Sequence, residues 1–171
     1  ISIVVPMETS TYAGGYLQSI SPAIYDGIVV TALSDNGLYG LNASDGKEVW
    51  KIETTDRVYA SPEVETSTGK VYAVLGTEIF PYRHLHKIDA KTGAIEWRMP
   101  ITKGVFGQPL VQDGYVIVPT TGINAGKGTI EVYKTDGTFL WNYWFGGWSL
   151  SRPVIVDDCV LAASFFGQIE I

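Results

Sequence analysis

A single cysteine, Cys159, is all the sequence offers for disulfide chemistry, so no internal disulfide staples the fold. It lies in the apolar run Cys159-Val160-Leu161-Ala162-Ala163 and reads as a small buried hydrophobe. Cations are scarce and scattered: 12 Lys+Arg stand against 18 Asp+Glu, a formal charge of -6, with no basic stripe. Phosphate backbones reward clustered cations through counterion release, so nucleic acid is excluded as a partner class. No apolar run nears the roughly 18 residues a membrane helix requires. The sequence opens at Ile1 without an initiator Met or a charged leader, as expected of a mature chain or a cut piece with any signal peptide out of view. A sustained 3.6-residue apolar period is also missing, which argues against a helical bundle. What is plentiful is glycine, at 19 of 171 residues, with 10 Tyr and 5 Trp. Glycine mixed with aromatic and β-branched residues is the composition of short strands joined by tight turns.

Those strands repeat. Asn42-Ala43-Ser44-Asp45-Gly46-Lys47-Glu48-Val49-Trp50, Asp89-Ala90-Lys91-Thr92-Gly93-Ala94-Ile95-Glu96-Trp97 and Tyr133-Lys134-Thr135-Asp136-Gly137-Thr138-Phe139-Leu140-Trp141 superimpose without a gap, each with Gly four residues before Trp. Twelve residues after each Trp comes a proline, Pro62, Pro109 and Pro153, and the Trp-to-Trp spacings are 47 and 44 residues. A period in the mid-forties built from β-type sequence predicts an all-β propeller of four-stranded antiparallel blades. Turn signals at Asp26-Gly27, Asn36-Gly37, Asp113-Gly114 and Asp136-Gly137 supply the positive φ that tight hairpins need. The expected blades span roughly residues 20–53, 60–99 and 107–143, with a fourth, incomplete, over 151–171. Trp50, Trp97 and Trp141 are expected to be buried between blades, since an indole covers a large apolar area and its N–H reaches a backbone carbonyl.

Two architectures follow from the incomplete fourth repeat. If Ile1 to Val5 pairs with Gly167 to Ile171, the chain closes as a small ring of four blades. Otherwise it is a portion of a larger propeller with open strand edges, which invite the remaining blades or a second copy, as a homo-oligomer or an aggregate. An end inside a strand favours the larger propeller.

The repeat resembles the tryptophan-docking motif of the pyrroloquinoline-quinone (PQQ) propeller superfamily, roughly Ala-x-Asp-x-x-x-Gly-Lys-x-x-Trp. Leu41 to Trp50 and Ile88 to Trp97 look like two good copies; the third departs because Tyr133 stands where an acidic or amide residue belongs. The superfamily holds calcium- and PQQ-dependent alcohol dehydrogenases. It also holds proteins that bind no quinone, among them the propeller lipoprotein of the outer-membrane β-barrel assembly complex. A dehydrogenase would imply a vicinal cysteine pair near the quinone, a calcium site and a catalytic Asp; here the lone cysteine is flanked by Asp158 and Val160. The resemblance therefore implies a non-catalytic, cofactor-free scaffold that binds another protein, set outside the cytoplasm in the periplasm, at the cell surface or secreted. The alternative it implies is a fragment of a PQQ- and calcium-dependent quinoprotein alcohol dehydrogenase.

Candidate sites follow the repeat. The residue before each repeat's proline, Ser21, Ser61, Gln108 and Arg152, stands where the innermost strand begins, near the mouth of the central channel. The span Trp141-Asn142-Tyr143-Trp144-Phe145-Gly146-Gly147-Trp148 puts an aromatic-rich loop where the other repeats have polar ones. Exposed aromatic anchors suit an interface, so Gln108, Trp144, Phe145, Trp148 and Arg152 form the candidate interaction site, on the face carrying the loops that lead into Pro62, Pro109 and Pro153. His84 and His86 put two rings on one side of a strand, as metal ligands would, but they align with Gly37 and Tyr39 and with Gly128 and Ile130, on a side packed against a neighbouring blade. Asp157-Asp158 aligns with Asp26-Gly27 and Asp113-Gly114, and turn chemistry accounts for it better than calcium.

Overall fold

The computed structural model describes residues 20–33, 37–55, 57–76, 83–101, 104–105, 107–121, 127–147, 149, 151–163 and 169–170. They form four antiparallel sheets in chain order. The first runs β1 (Ala23–Tyr25), β2 (Ile28–Leu33), β3 (Gly37–Asn42) and β4 (Glu48–Glu53), each strand beside the next. The second repeats this with β5 (Glu63–Glu65), β6 (Lys70–Leu75), β7 (Arg83–Asp89) and β8 (Ile95–Ile101). The third has β9 (Leu110–Gln112), β10 (Tyr115–Thr121), β11 (Lys127–Lys134) and β12 (Phe139–Gly146). The fourth has three described strands, β13 (Val154–Val156), β14 (Cys159–Ala163) and β15 (Ile169–Glu170). The proposed pairing of Ile1 to Val5 with the last strand lies outside the described residues.

Turn chemistry sets the first hairpin of three sheets. Tyr25 pairs with Ile28, Gln112 with Tyr115 and Val156 with Cys159, leaving two-residue turns. Asp26, Asp113 and Asp157 hold φ of 42°, 52° and 52° there. Aspartate tolerates this left-handed region because its short polar side chain bonds locally. The second sheet instead pairs Glu65 with Lys70 across a longer turn ending at Gly69, φ +69°.

The core lies between sheets. Val30, Leu38 and Trp50 of the first sheet meet Val71, Ala73, Leu75 and Ile88 of the second. On the second sheet's other face, Tyr72, Val74 and Leu85 meet Val116, Val118 and Tyr133 of the third. Leu110, Ile117, Ile130 and Val132 of the third then meet Ala162, Ile155 and Val160 of the fourth. Strand alternation thus gives each inner sheet two apolar faces, and sheets stack in series as blades do.

The Gly-x-x-x-Trp spacing acts across this stacking. The Trp50 Nε1–H donates to the Ala90 carbonyl at 2.9 Å, in the turn of the next sheet. Gly93 of that turn holds φ +72°, and a Cβ on it would sit 2.7 Å from Trp50 Cδ2. Trp97 repeats the arrangement, donating to the Thr135 carbonyl at 3.2 Å beside Gly137. So each turn glycine is the platform for the preceding sheet's indole. Trp50 is buried and Trp97 half-buried, whereas Trp141 is 45% exposed, contrary to the expectation for all three. Among the described residues the fourth sheet has three strands and no corresponding turn, so Trp141 has no equivalent carbonyl and glycine to dock on.

Two further expectations are corrected. The third repeat does not superimpose without a gap. Its turn is closed by Lys134 N to Thr138 O, one residue tighter than Asn42 N to Lys47 O and Asp89 N to Ala94 O. Ala43, Ala90 and Thr135 each donate to the first-hairpin glycine of their own sheet, which makes Lys134 the counterpart of Asn42 and Asp89. Asn42 and Asp89 cap their turns, accepting from Ser44 N at 2.8 Å and Thr92 N at 3.0 Å; a lysine has no acceptor for this, and the third turn is the shorter one. Cys159 is exposed rather than buried. Val160 and Ala162 point at the third sheet, so alternation turns Cys159 to the opposite face.

Candidate functional site

The innermost strands β1, β5 and β9 neighbour one another, so the residues that open them converge. Ser21 N donates to Ser61 Oγ at 2.8 Å. Gln108 Nε2 donates to Glu63 Oε2 at 2.8 Å, and Arg152 Nη2 reaches the other oxygen of the same carboxylate at 2.5 Å. Arg152 opens the fourth sheet and Glu63 lies in the second, so this ion pair links two sheets separated in chain order by the third. A largely buried carboxylate taking a charge-assisted bond from a half-exposed guanidinium is a strong polar link between the second and fourth sheets. Glu63 was not singled out by sequence reading, although a signal exists: it follows Pro62 where Ala23, Leu110 and Val154 follow the other prolines. Arg152 and Gln108 are thus brought together, with their polar groups directed at Glu63.

The aromatic span is a strand rather than a loop. Residues 141–146 belong to β12, the outermost strand of the third sheet, in register with β11. Trp141 pairs with Val132 and Tyr143 with Ile130, on the face turned to the fourth sheet; Trp144 pairs with Thr129 and Asn142 with Glu131, on the face turned to the second. Tyr143 is 51% and Trp144 54% exposed, so both faces of the outer rim present aromatic surface. Phe145 pairs with Gly128; its side chain, and Trp148 altogether, lie outside the described residues. Trp144 therefore stands on an outer strand and Arg152 at the opening of an inner one, at different radii of the fold.

His86 is fully buried and faces the first sheet. Its Nδ1 lies 2.9 Å from the His84 carbonyl, a contact that calls for a proton on Nδ1, while Nε2 has no hydrogen-bond partner among the described residues. Burial above all lowers its pKa from 6.5 to about 4, so the ring is neutral at pH 7. With the third repeat's shorter turn taken into account, His84 and His86 correspond to Thr129 and Glu131. Among the described residues no group of three His, Cys, Asp or Glu side chains is placed to hold a metal. On the opposite face of the second sheet, Lys70 Nζ contacts Asp89 at 2.9 Å and Glu96 at 2.6 Å, and Lys87 Nζ reaches Glu96 at 3.4 Å. The hydrogen bond from Lys70 chiefly holds the Asp89 carboxyl down at about 2. Lys87 also donates to the Thr135 carbonyl, so this cluster ties the second sheet to the third.

A family model described as outer membrane protein assembly factor BamB matches residues 7–78 and 60–164. The outer membrane protein assembly factor BamB of Nitrosomonas eutropha is 32% identical over 85 residues, 48% of this chain and 20% of that protein. A quinohemoprotein alcohol dehydrogenase, ADH IIB of Pseudomonas putida, is 26% identical over 135 residues, 72% of this chain and 20% of the relative. The crystal structure of BamB from Moraxella catarrhalis superimposes with a TM-score of 0.66 at 19% identity, covering 86% of this chain and 46% of that one. The chain thus spans about a fifth of the length of the curated relatives it matches.

Proposed function

The chain belongs to the outer membrane protein assembly factor BamB family, and from that premise we propose that it is a non-catalytic propeller scaffold that binds another protein outside the cytoplasm. The observation carrying this reading is the outer strand of the third sheet, where Tyr143 and Trp144, neighbours in the chain on opposite faces of β12, are each about half exposed. Large aromatic anchors left at a surface are expensive unless a partner covers them, and interfaces are enriched in them. Gln108 and Arg152 serve the fold through Glu63, which leaves the rim as the contact surface. The partner belongs to the same outer-membrane assembly that the BamB relatives are named for.

The likeness to a quinohemoprotein dehydrogenase supports a second reading, a segment of a PQQ-dependent enzyme. The residues present do not fit that group. The lone Cys159 cannot form the vicinal pair, and the described Asp and Glu side chains do not converge in threes as calcium would demand. No catalytic step is therefore assigned to this span.

Biolayer interferometry of the chain against the purified outer-membrane assembly proteins of its own organism tests the scaffold reading. Saturable binding that weakens more than ~10-fold with Trp144→Ala, at unchanged melting temperature, is the expected result. Reduction of a dye by the chain supplied with PQQ, calcium and an alcohol would instead establish the enzyme reading.

A further inference from the structure

Between the second and third sheets a groove of about 260 Å³ opens at the outer rim, lined by Met99, Pro100, Glu131, Tyr133, Phe139 and Asn142. Glu131 is only 6% exposed, and its one bond among the described residues comes from the Tyr133 hydroxyl, which donates to Oε2 at 2.7 Å. Burial, reinforced by that hydrogen bond and the carboxylate's charge, raises the Tyr133 pKa, so the phenol stays a donor at neutral pH. His86 occupies the equivalent position between the first and second sheets. There a fully buried ring faces an apolar cluster; here a carboxylate lines an open groove.

We propose that this groove binds the side chain of a lysine presented by the partner protein, its ammonium on Glu131 and its alkyl stem between Met99, Pro100 and Phe139. A buried carboxylate in an apolar recess is favoured by a cation that pairs with it. The groove is smaller than the ~300–1,000 Å³ of small-molecule sites, so it accommodates a side chain rather than a whole ligand. Lysine is preferred to arginine because Oε2 is already committed to Tyr133, and a guanidinium fork needs both carboxylate oxygens while an ammonium needs one. The Asn142 carboxamide, opposite Glu131 on β12, supplies a second acceptor. Asn142 and Trp144 share the same face of β12, so the groove is continuous with the aromatic rim, and the net charge of -6 suits a basic partner segment.

The proposal rests on the protein-binding reading, but it is tested without the natural partner. The blocked tripeptide acetyl-Ala-Lys-Ala-amide is titrated into the ¹⁵N-labelled chain, in parallel with the norleucine and arginine analogues and with putrescine. Saturable amide shifts at Met99, Glu131 and Asn142 are expected with the lysine peptide, at least ~10-fold weaker binding with norleucine, and no gain with arginine. Glu131→Gln, which keeps an acceptor for Tyr133, should weaken the lysine peptide by a similar factor. Equal affinity for lysine and norleucine peptides, which needs no variant, would overturn the proposal, as would tighter binding of putrescine than of the peptide. If the lysine peptide binds while the assembly proteins do not, the groove stands and the choice of partner fails.

Discussion

Replacing Gly93 by alanine isolates the role of the turn glycine as a platform, because Gly27 provides a control within the same chain. Both residues hold positive φ, +72° and +80° respectively. A Cβ added at Gly27 meets nothing within 4 Å, whereas at Gly93 it lies 2.7 Å from Trp50 Cδ2, 2.8 Å from Cγ and 3.0 Å from Cβ. Gly27→Ala therefore incurs only the left-handed backbone cost, roughly 1–2 kcal/mol. Gly93→Ala adds the displacement of a buried indole from its rotamer and from its bond to the Ala90 carbonyl, an overpacking cost of about 1–3 kcal/mol. Urea titration followed by far-ultraviolet circular dichroism and tryptophan fluorescence should show the second variant less stable by that difference. For a domain of this size each kcal/mol lowers Tm by roughly 2–4 °C. In a Trp50→Leu background the excess should shrink, giving a coupling energy of about 1–3 kcal/mol. Equal losses for Gly93→Ala and Gly27→Ala would show that the glycine is kept for its backbone alone and that the indole is not held by this turn.

The same assay should separate the tryptophans: Trp97→Ala costs about 3 kcal/mol as a large-to-small change at an inter-sheet contact, and exposed Trp141→Ala under about 1 kcal/mol. Comparable losses at both would contradict the docking geometry. Because the His86 pKa is lowered to about 4, the unfolded chain takes up its proton from about pH 6.5 downward and the folded chain only near 4. Stability is then complete above that window and falls through it by up to about 3 kcal/mol. His86→Leu should flatten the dependence measured by urea midpoints between pH 7 and 4. Asp89 adds a second acid limb: its carboxyl is lowered from 3.8 to about 2, so its contribution, about 1 kcal/mol after solvent screening, is present above pH 4 and lost as pH falls through 2. Asp89→Asn should abolish that limb.

The period and most turns were legible in the sequence because they depend on residues close in the chain. Asp26-Gly27 and Asp113-Gly114 need positive φ, and alternation along Val116 to Val118 needs only a strand with both faces covered. Even the Gly-x-x-x-Trp spacing was visible, although its reason was not: the glycine of one turn serves the tryptophan of the preceding sheet, as Gly93 serves Trp50. The candidate site was read less well. Gln108 and Arg152 were recognised as converging, but Glu63, which takes both, comes from another sheet, at a distance of 45 residues from one and 89 from the other. The aromatic span reads as a loop because it stands where the other repeats have polar segments after their tryptophans, yet pairing with β11 carries the strand through Gly146. The exposure of Trp141 and Cys159 was likewise decided by which faces the fourth sheet presents and covers. Backbone conformation is a local property, fixed by φ preferences and side-chain alternation over a few residues, so sequence alone determined the repeated strand-and-turn unit. Burial and pairing partners are properties of adjacent sheets some forty residues apart, so only the tertiary structure decided which indoles dock, which carboxylate joins Gln108 to Arg152 and which one is left facing an open groove.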